Sequence, residues 1–313
     1  MPLNNKRLLI IGSDGFVGRN LRDYCDQRGF AYHTIARKDG DLSDWPTVEQ
    51  LFKSCPPVDR IFHLVTRQRT GQIQYKIQGE LLAINARIHL NVLEAWRRHQ
   101  PQAKLVSTGS SCAYPEAGHP LTEDEFGTGA VHPSVLGYAQ AKLVLARGSA
   151  AYASQYGLKY LHCILATLYG PFDHKEPDRS HFFGAMLTRA IEERAAGAPH
   201  FTVWGNRKTV RELLYVEDQI EAILAADDAF ENRILNCAAN APITVGEAAT
   251  AILRALDWNV PTFSPPSSFQ GADYKVLDSS VFLKATGYRP KFDLRAGIRA
   301  LLQAEGGESR SHV

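Results

Sequence analysis

"RLLIIGSDGFVG", residues 7–18, decides how this 313-residue chain folds. Leu8 to Ile11 is an unbroken apolar run without polar alternation, the pattern of a strand buried on both faces. Gly12, Gly15 and Gly18 follow at G-x-x-G-x-x-G spacing, and residues 16–28 read as a helix. Glycines in such a loop allow a tight turn and close backbone approach to a pyrophosphate, whose charge the helix N-terminus attracts. The triplet alone is weak evidence. Between a strand and a helix, it is a strong signal for a dinucleotide site.

The same alternation runs outward from this stretch. Strand-like runs fall at 31–35, 58–65, 103–108 and 158–165, with helical segments at 78–99 and 134–156. Strands separated by helices imply parallel pairing through helical crossovers, hence an α/β fold with a doubly wound parallel sheet of Rossmann type. Beyond about residue 170 the pattern loosens. "GPFDHKEPDRS" (170–180) is a loop, helices are expected near 181–196, 216–227, 244–256 and 293–303, and short strands lie between them. The Pro/Ser-rich stretch at 261–268 reads as exposed, and the end of the chain, 306–313, as frayed. The expected division is a dinucleotide-binding domain over 1–170. A smaller α/β C-terminal substrate lobe then covers 171–313, with some segments returning to the first domain and a ligand in the cleft between them.

Bulk properties exclude several classes. Apolar residues make up 44% and charged residues 22%, ordinary values for a soluble globular protein. The formal net charge of +2 is spread without blocks, so nucleic acid or an anionic membrane is not an expected partner. Cysteines at 25, 55, 112, 163 and 237 are odd in number and widely spaced. That argues against a disulfide framework or a metal site and fits a reducing cytoplasm. The N-terminus runs directly into fold-like sequence, with no signal peptide expected, and no apolar run reaches the length of a membrane span. Helix 78–99 carries two apolar rows: Leu81, Ile84, Ile88 and Val92, and Leu82, Leu93 and Trp96. One row can face the sheet; the other needs cover, which suggests a homodimer.

The cofactor's identity turns on the end of the second strand. An acidic residue there would bind NAD ribose hydroxyls, but this chain offers Ala36, Arg37 and Lys38. A guanidinium can donate paired hydrogen bonds to a 2′-phosphate, so NADP(H) is expected, with Arg37 as the main contact. Asp41 either meets the adenine end or caps a turn.

Two further stretches carry chemistry. "GYAQAKLVL" (137–145) puts Tyr138 and Lys142 at i and i+4 on one helix face. An ammonium near a phenol favours the phenolate, so Tyr138 can trade protons with a sugar oxygen. "STGSSCAYP" (107–115) places Ser110 and Cys112 in the loop ending a strand. In a sheet that resembles the short-chain dehydrogenases, Ser110 would converge with Tyr138 and Lys142 beside the nicotinamide. Cys112 reads either as small buried packing or as a thiol that does chemistry at the mouth of the sheet, where a neighbour such as an imidazolium would lower its pKa.

Together these elements resemble the extended short-chain dehydrogenase/reductase family. The glycine loop, Ser110, Tyr138 and Lys142 carry the resemblance. It continues in "LYGP" (168–171), "RELLYVEDQIEAI" (211–223) and "DSSVFLKATGYRPKFDLRAGI" (278–298), nearly the whole chain. Within the family the chain is most similar to the GDP-L-fucose synthase group, which are 3,5-epimerase/4-reductases of GDP-4-keto-6-deoxymannose. "GSSCAYP" (109–115), "SHFFGAMLTRA" (180–190) and "VWGNRKTVRELLYVED" (203–218) follow that group's order. The resemblance implies that Cys112 and His181 are epimerisation base and acid, and that Tyr138 donates the proton for reduction. It implies that Arg189, Trp204 and Arg211 hold the diphosphate and base of a GDP-linked nucleotide-sugar. It extends the cofactor site from Gly12, Gly15 and Gly18 to Asp14, Phe16, Val17, Asp41, Leu42 and Leu64, with Tyr138 and Lys142.

Several positions depart from the group's pattern. "HLVTRQRTGQIQ" (63–74) brings Arg67 and Arg69 where the group has small residues. Ala166–Thr167–Leu168 replaces Pro-Thr-Asn, "GNRKTV" (205–210) adds Arg207 and Lys208, and Asp14 stands in the glycine loop. These positions surround the substrate, so the sugar stays open, a GDP-6-deoxy-4-keto-heptose included. A one-step 4-reductase or epimerase, and a catalytically silent NADPH-binding regulator, are the alternative functions.

Overall fold

The first strand, β1 (Leu8–Ile11), alternates its side chains between two cores. Leu8 and Ile10 join one cluster, and Leu9 and Ile11 join the other. A strand buried on both faces needs helices on both faces, and the chain supplies them in order. After β1 come α1 (Phe16–Arg28), β2 (Tyr32–Ile35), α2 (Trp45–Ser54), β3 (Arg60–His63), α3 (Ile73–Lys76), α4 (Gln78–His99) and β4 (Lys104–Ser110). Then follow α5 (Leu136–Tyr156), β5 (Tyr160–Leu165), β6 (Thr167–Tyr169), α6 (Phe182–Ala195), β7 (Phe201–Thr202), β8 (Val210–Tyr215), α7 (Val216–Ala229) and β9 (Arg233–Cys237). The chain ends with β10 (Pro242–Thr244), α8 (Val245–Ala255), β11 (Thr262–Phe263), β12 (Tyr274–Lys275), α9 (Ser280–Thr286) and α10 (Leu294–Glu308).

The computed structural model describes residue 3 and residues 6–176, 179–265 and 271–308. The expected exposed loop at 261–268 and frayed end at 306–313 lie partly outside these residues.

The large sheet has the order β2-β1-β3-β4-β5-β9. All its pairs are parallel. The order reverses between β1 and β3, and such a reversal opens a crevice beyond the carboxyl ends of the strands. Helices α1 and α7 cover one face, where Phe16, Leu21 and Ile223 pack with Phe62 and Val106. Helices α2, α4 and α5 cover the other, around Val48, Phe52, Trp96 and Leu145. Each fully buried side chain of this size contributes about 1.5–3 kcal/mol of transfer free energy. The sixth strand, β9, comes from the second half of the chain. A second sheet, β10-β8-β12 with β6 also on β8, packs with α6, α8 and α10 around Phe183, Met186, Ile252 and Ile298.

Two details differ from the sequence reading. Leu93 and Trp96 are fully buried, and the Trp96 indole donates to the Ala103 carbonyl at 2.9 Å. The outer side of α4 is instead marked by Leu82 and Leu90, which are 37% and 47% exposed. Helix α2 was not expected. Its Asp44 cap accepts from the Thr47 backbone N–H, and Pro46 occupies the first turn, so a start signal stood in the sequence. Among the described residues no helix is long and apolar enough to cross a membrane. Among them, too, no cluster of three or more His, Cys, Asp or Glu side chains is placed to hold a metal.

Candidate active site

The glycine loop joins β1 to α1 at the crevice. Gly12 has φ +87°, and a Cβ there would meet Val65 at 2.8 Å. A Cβ on Gly18 would stand 2.0 Å from the Gly12 carbonyl oxygen. Gly15, which has no side chain to cap with, occupies the N-cap of α1. The first-turn N–H groups of α1 therefore suit a phosphate of a dinucleotide. Asp14 turns toward β2 and accepts from the Arg37 backbone N–H at 3.2 Å. This ties the glycine loop to the turn that carries the exposed Arg37 side chain. That residue set fits NADP(H) through helix dipole, backbone and guanidinium.

The other expected cofactor residues divide. Phe16 is buried in the core, and Val17 and Leu64 pack against it. Leu42 is 7% exposed and belongs to the opposite core, so its side chain packs there. Asp41 accepts from the Ser43 N–H and hydroxyl, both at 2.8 Å, which is turn capping.

Strand β4 ends at Ser110, whose hydroxyl accepts from the Cys112 N–H at 3.2 Å and starts a single 3₁₀ turn, Ser111–Ala113. That turn lifts Cys112 above the strand end, where it is half-buried. The Tyr114 hydroxyl anchors the loop to Asn236 on β9 at 2.6 Å.

Tyr138 stands in the first turn of α5. Gln78, the first residue of α4, fixes that turn by accepting from the Gly137 N–H at 2.6 Å and donating to the Ser134 carbonyl at 2.7 Å. Burial pushes the Tyr138 phenol up, and a negative charge on Cys112 adds to this; hydrogen bonds with Ser110 and Thr66 pull it down by less. Lys142 lies one turn on, its ammonium 5.8 Å from the Tyr138 ring centre and donating to the Thr108 carbonyl at 2.8 Å. Burial pushes Lys142 down to about 8. In the chain alone, desolvation thus opposes the phenolate that a nearby ammonium favours.

The charge beside Cys112 also differs from expectation. Lys275, on β12, donates to the Cys112 sulfur at 3.2 Å. Burial alone would raise this thiol. The Lys275 ammonium, hydrogen bonds from Ser110 and Lys275, and the Arg211 guanidinium outweigh it and bring the thiol below its ordinary value. His181 instead faces Asp173, with Nδ1 at 2.8 Å from Oδ1, and its ring centre lies 5.5 Å from that of Phe16 in the glycine loop. It occupies the N-cap position of α6 without a side-chain cap, beside the start of α1.

The three expected substrate residues also separate. The Arg189 guanidinium stacks on the Trp204 ring at 4.2 Å, and Trp204 is 62% exposed, a flat platform just after β7, which pairs with β11 in a separate two-stranded sheet. Arg211 pairs in register with Lys275 across β8 and β12, so it stands by the thiol.

Several residues at the site carry no local sequence signal. Thr66 hydrogen-bonds Tyr138. Buried Asn85 holds the segment after β3 by accepting from the Arg67 N–H at 2.6 Å and donating to the Arg67 carbonyl at 2.8 Å. Asp173 orients His181. Lys275 lies just outside the quoted 278–298 stretch, and only tertiary pairing brings it to Cys112.

Known proteins agree with this architecture. Over its full length the chain is similar to the GDP-L-fucose synthase of Escherichia coli, 28% identical over 313 residues, covering 96% of this chain and 97% of that protein. The GDP-L-colitose synthase of Yersinia pseudotuberculosis is 26% identical, with 95% and 97% covered. A GDP-6-OMe-4-keto-L-xylo-heptose reductase from Campylobacter jejuni has the same fold, with a TM-score of 0.87 at 19% identity over 97% and 98% of the two chains. Residues 8–238 match the NAD dependent epimerase/dehydratase family, and a match over most of the chain, with the glycine loop and the Tyr138–Lys142 pair inside it, places this protein in that family.

Proposed function

We propose that the protein is an NADPH-dependent 3,5-epimerase/4-reductase of a GDP-4-keto-6-deoxy sugar. The observation that carries this reading is a thiol held 3.2 Å from an ammonium, hydrogen-bonded through its backbone to Ser110 and near enough to Tyr138 for its charge to act there, with Lys142 one helical turn on. The curated relatives, named as synthases of GDP-L-fucose and GDP-L-colitose, support the GDP-sugar class.

The chemistry follows from the residue types. A C4 ketone acidifies the hydrogens at C3 and C5. The Cys112 thiolate takes such a proton at Sγ, and the C–H electron pair moves into the ring bond and onto the C4 oxygen. Ser110 and Tyr138 stabilise that enolate oxygen, and proton return from the opposite face, assigned to His181 with Asp173 behind it, inverts the centre. NADPH supplies the hydride for C4 when bound. Tyr138, as a neutral phenol, hands its proton to the C4 oxygen. Arg189, Trp204 and Arg211 hold the diphosphate and base of the nucleotide, with Arg211 at the end nearer the thiol. The thiol chemistry requires the reducing cytoplasm, and the exposed Leu82, Leu90 and Tyr156 side chains support a homodimer through α4 and α5.

The test is proton NMR of GDP-4-keto-6-deoxymannose in deuterated water, with and without NADPH. Exchange at C3 and C5 without NADPH, then a GDP-fucose product on adding it, is the expected result. Cys112→Ser should cut exchange by roughly 10²–10⁴-fold. A second reading is one-step reduction of a GDP-linked keto sugar; Arg67 does not decide for it, because its guanidinium pairs with Glu80 at 3.0 Å. NADPH consumption without exchange would support it against the bifunctional reading.

A further inference from the structure

We propose that Lys275 is the counter-ion that keeps Cys112 a thiolate, and that the two-residue strand β12 is the device that delivers it. As a positioning residue Lys275 acts through the sulfur. The proposal rests on the epimerase reading only for what the thiolate is used for.

The placement is over-determined from both sides. On one side, β12 runs parallel to β8 with Tyr274 opposite Val210 and Lys275 opposite Arg211. The Val210 N–H donates to the Asp273 carbonyl at 2.8 Å and sets that register. On the other side, the next residues zip onto the segment that follows the Cys112 loop. Leu121 N–H donates to the Val276 carbonyl at 2.9 Å, and Asp278 N–H donates to the Leu121 carbonyl at 2.8 Å. Beneath both lies Glu212, 1% exposed. Its carboxylate accepts from the N–H groups of Leu277 at 3.1 Å, Ala239 at 2.9 Å and Ala241 at 3.3 Å. A buried carboxylate spent on backbone donors fixes chain position rather than chemistry. The segment carrying Lys275 is therefore held to the sheet, to the thiol loop and to a buried anchor.

The groups around the thiol divide by element. Strand β12 presents Lys275, β8 presents Arg211, α5 presents Tyr138 and Lys142, and the end of β4 presents the Ser110 hydroxyl. Asp273 faces Arg211 and offsets part of its charge. Of the cations, Lys275 is the one in hydrogen-bond contact with sulfur. At such separation an opposite charge moves a titration by roughly one to three pH units, more than the others can supply from further away.

The experiment is an ultraviolet thiolate titration of the full chain without substrate, from about pH 5 to about pH 10. The Cys112→Ser signal is subtracted to isolate this sulfur. The wild-type midpoint should fall below the ordinary thiol value of about 8.5. Lys275→Met should raise it by roughly one pH unit or more, and Lys275→Arg should leave it near wild type. Iodoacetamide labelling of Cys112 near neutral pH should slow about tenfold in Lys275→Met. A wild-type midpoint at or above about 8.5 overturns the proposal without any variant. Equal midpoints in wild type and Lys275→Met also overturn it and assign the charge to Arg211 and Lys142. If no sugar exchange occurs while the titration behaves as expected, the substrate reading fails and the ion pair stands.

Discussion

Arg37 shows what one side chain decides. It follows β2, its side chain is exposed, and its backbone is tied to Asp14 of the glycine loop. Whatever anion the loop binds, this guanidinium borders it. A hydrogen bond to a charged group is worth about 1.5–3 kcal/mol, so Arg37→Ala should weaken NADPH roughly 10- to 100-fold. NADH, which has no 2′-phosphate, should lose little. Fluorescence titration of both cofactors checks this, and equal losses would remove Arg37 from the 2′-phosphate. The residue scale is also where sequence reading divides most clearly. Tyr138 and Lys142 share a helix face because helical periodicity puts i and i+4 together, and Ser110 and Cys112 share a loop because they are two residues apart. Lys275 has no such local relation to Cys112. It is 163 residues away in sequence and arrives through the register of a two-residue strand. Likewise Leu42 reads as a cofactor contact beside Asp41, yet its side chain is drawn into the core below.

At the scale of elements, residues 7–28 were legible because every local signal agrees. An all-apolar strand, a glycine turn and an amphipathic helix leave few alternatives, and α1 spans Phe16–Arg28 as read. Helix α2 was missed although a parallel β2-to-β3 link requires a crossover, and Asp44 with Pro46 marks its start. The outer row of α4 was misassigned because a periodicity shows which residues share a face, while burial depends on what packs there; α5 covers Trp96. The same reasoning makes the glycine loop brittle. A Cβ at Gly18 would lie 2.0 Å from backbone oxygen, and backbone cannot step aside as a side-chain tip can. Gly18→Ala should therefore pull the N-terminus of α1 off the loop. The expected outcome is a drop in thermal midpoint of several degrees together with loss of measurable NADPH binding. A Gly18→Ala protein that binds NADPH like wild type would show that the loop and helix separate without cost to the site.

For the whole molecule, the sheet that supports the site also sets its acid limit. Three histidines lie at its centre with no exposure: His63 at the end of β3, His89 on α4 and His162 on β5. His63 and His89 share one hydrogen bond at 2.9 Å, and His162 shares one with the Ser107 hydroxyl at 2.8 Å. Burial first, and then the Lys142 charge, pushes His63 down to about 3. The same causes, with His63 added, push His162 down to about 3, and His89 is pushed well below its ordinary value. These bases are neutral in the folded state and take up protons near about pH 6.5 once unfolded. Their contribution is therefore complete above that pH and is lost as pH falls from about 6.5 toward about 3. Each fully shifted histidine costs about 1.4 kcal/mol per pH unit within the window. Between about pH 7.5 and about pH 5.5, His63 and His162 together should remove roughly 3 kcal/mol. Urea unfolding followed by tryptophan fluorescence at the two pH values measures it. His162→Gln should lower stability at neutral pH yet flatten the dependence by about 1.4 kcal/mol per pH unit. Stability that stays level between those two pH values would mean that the histidines are protonated inside the fold. Lys142, whose charge helps hold them neutral, would then face added positive charge and be pushed lower still, beside Tyr138.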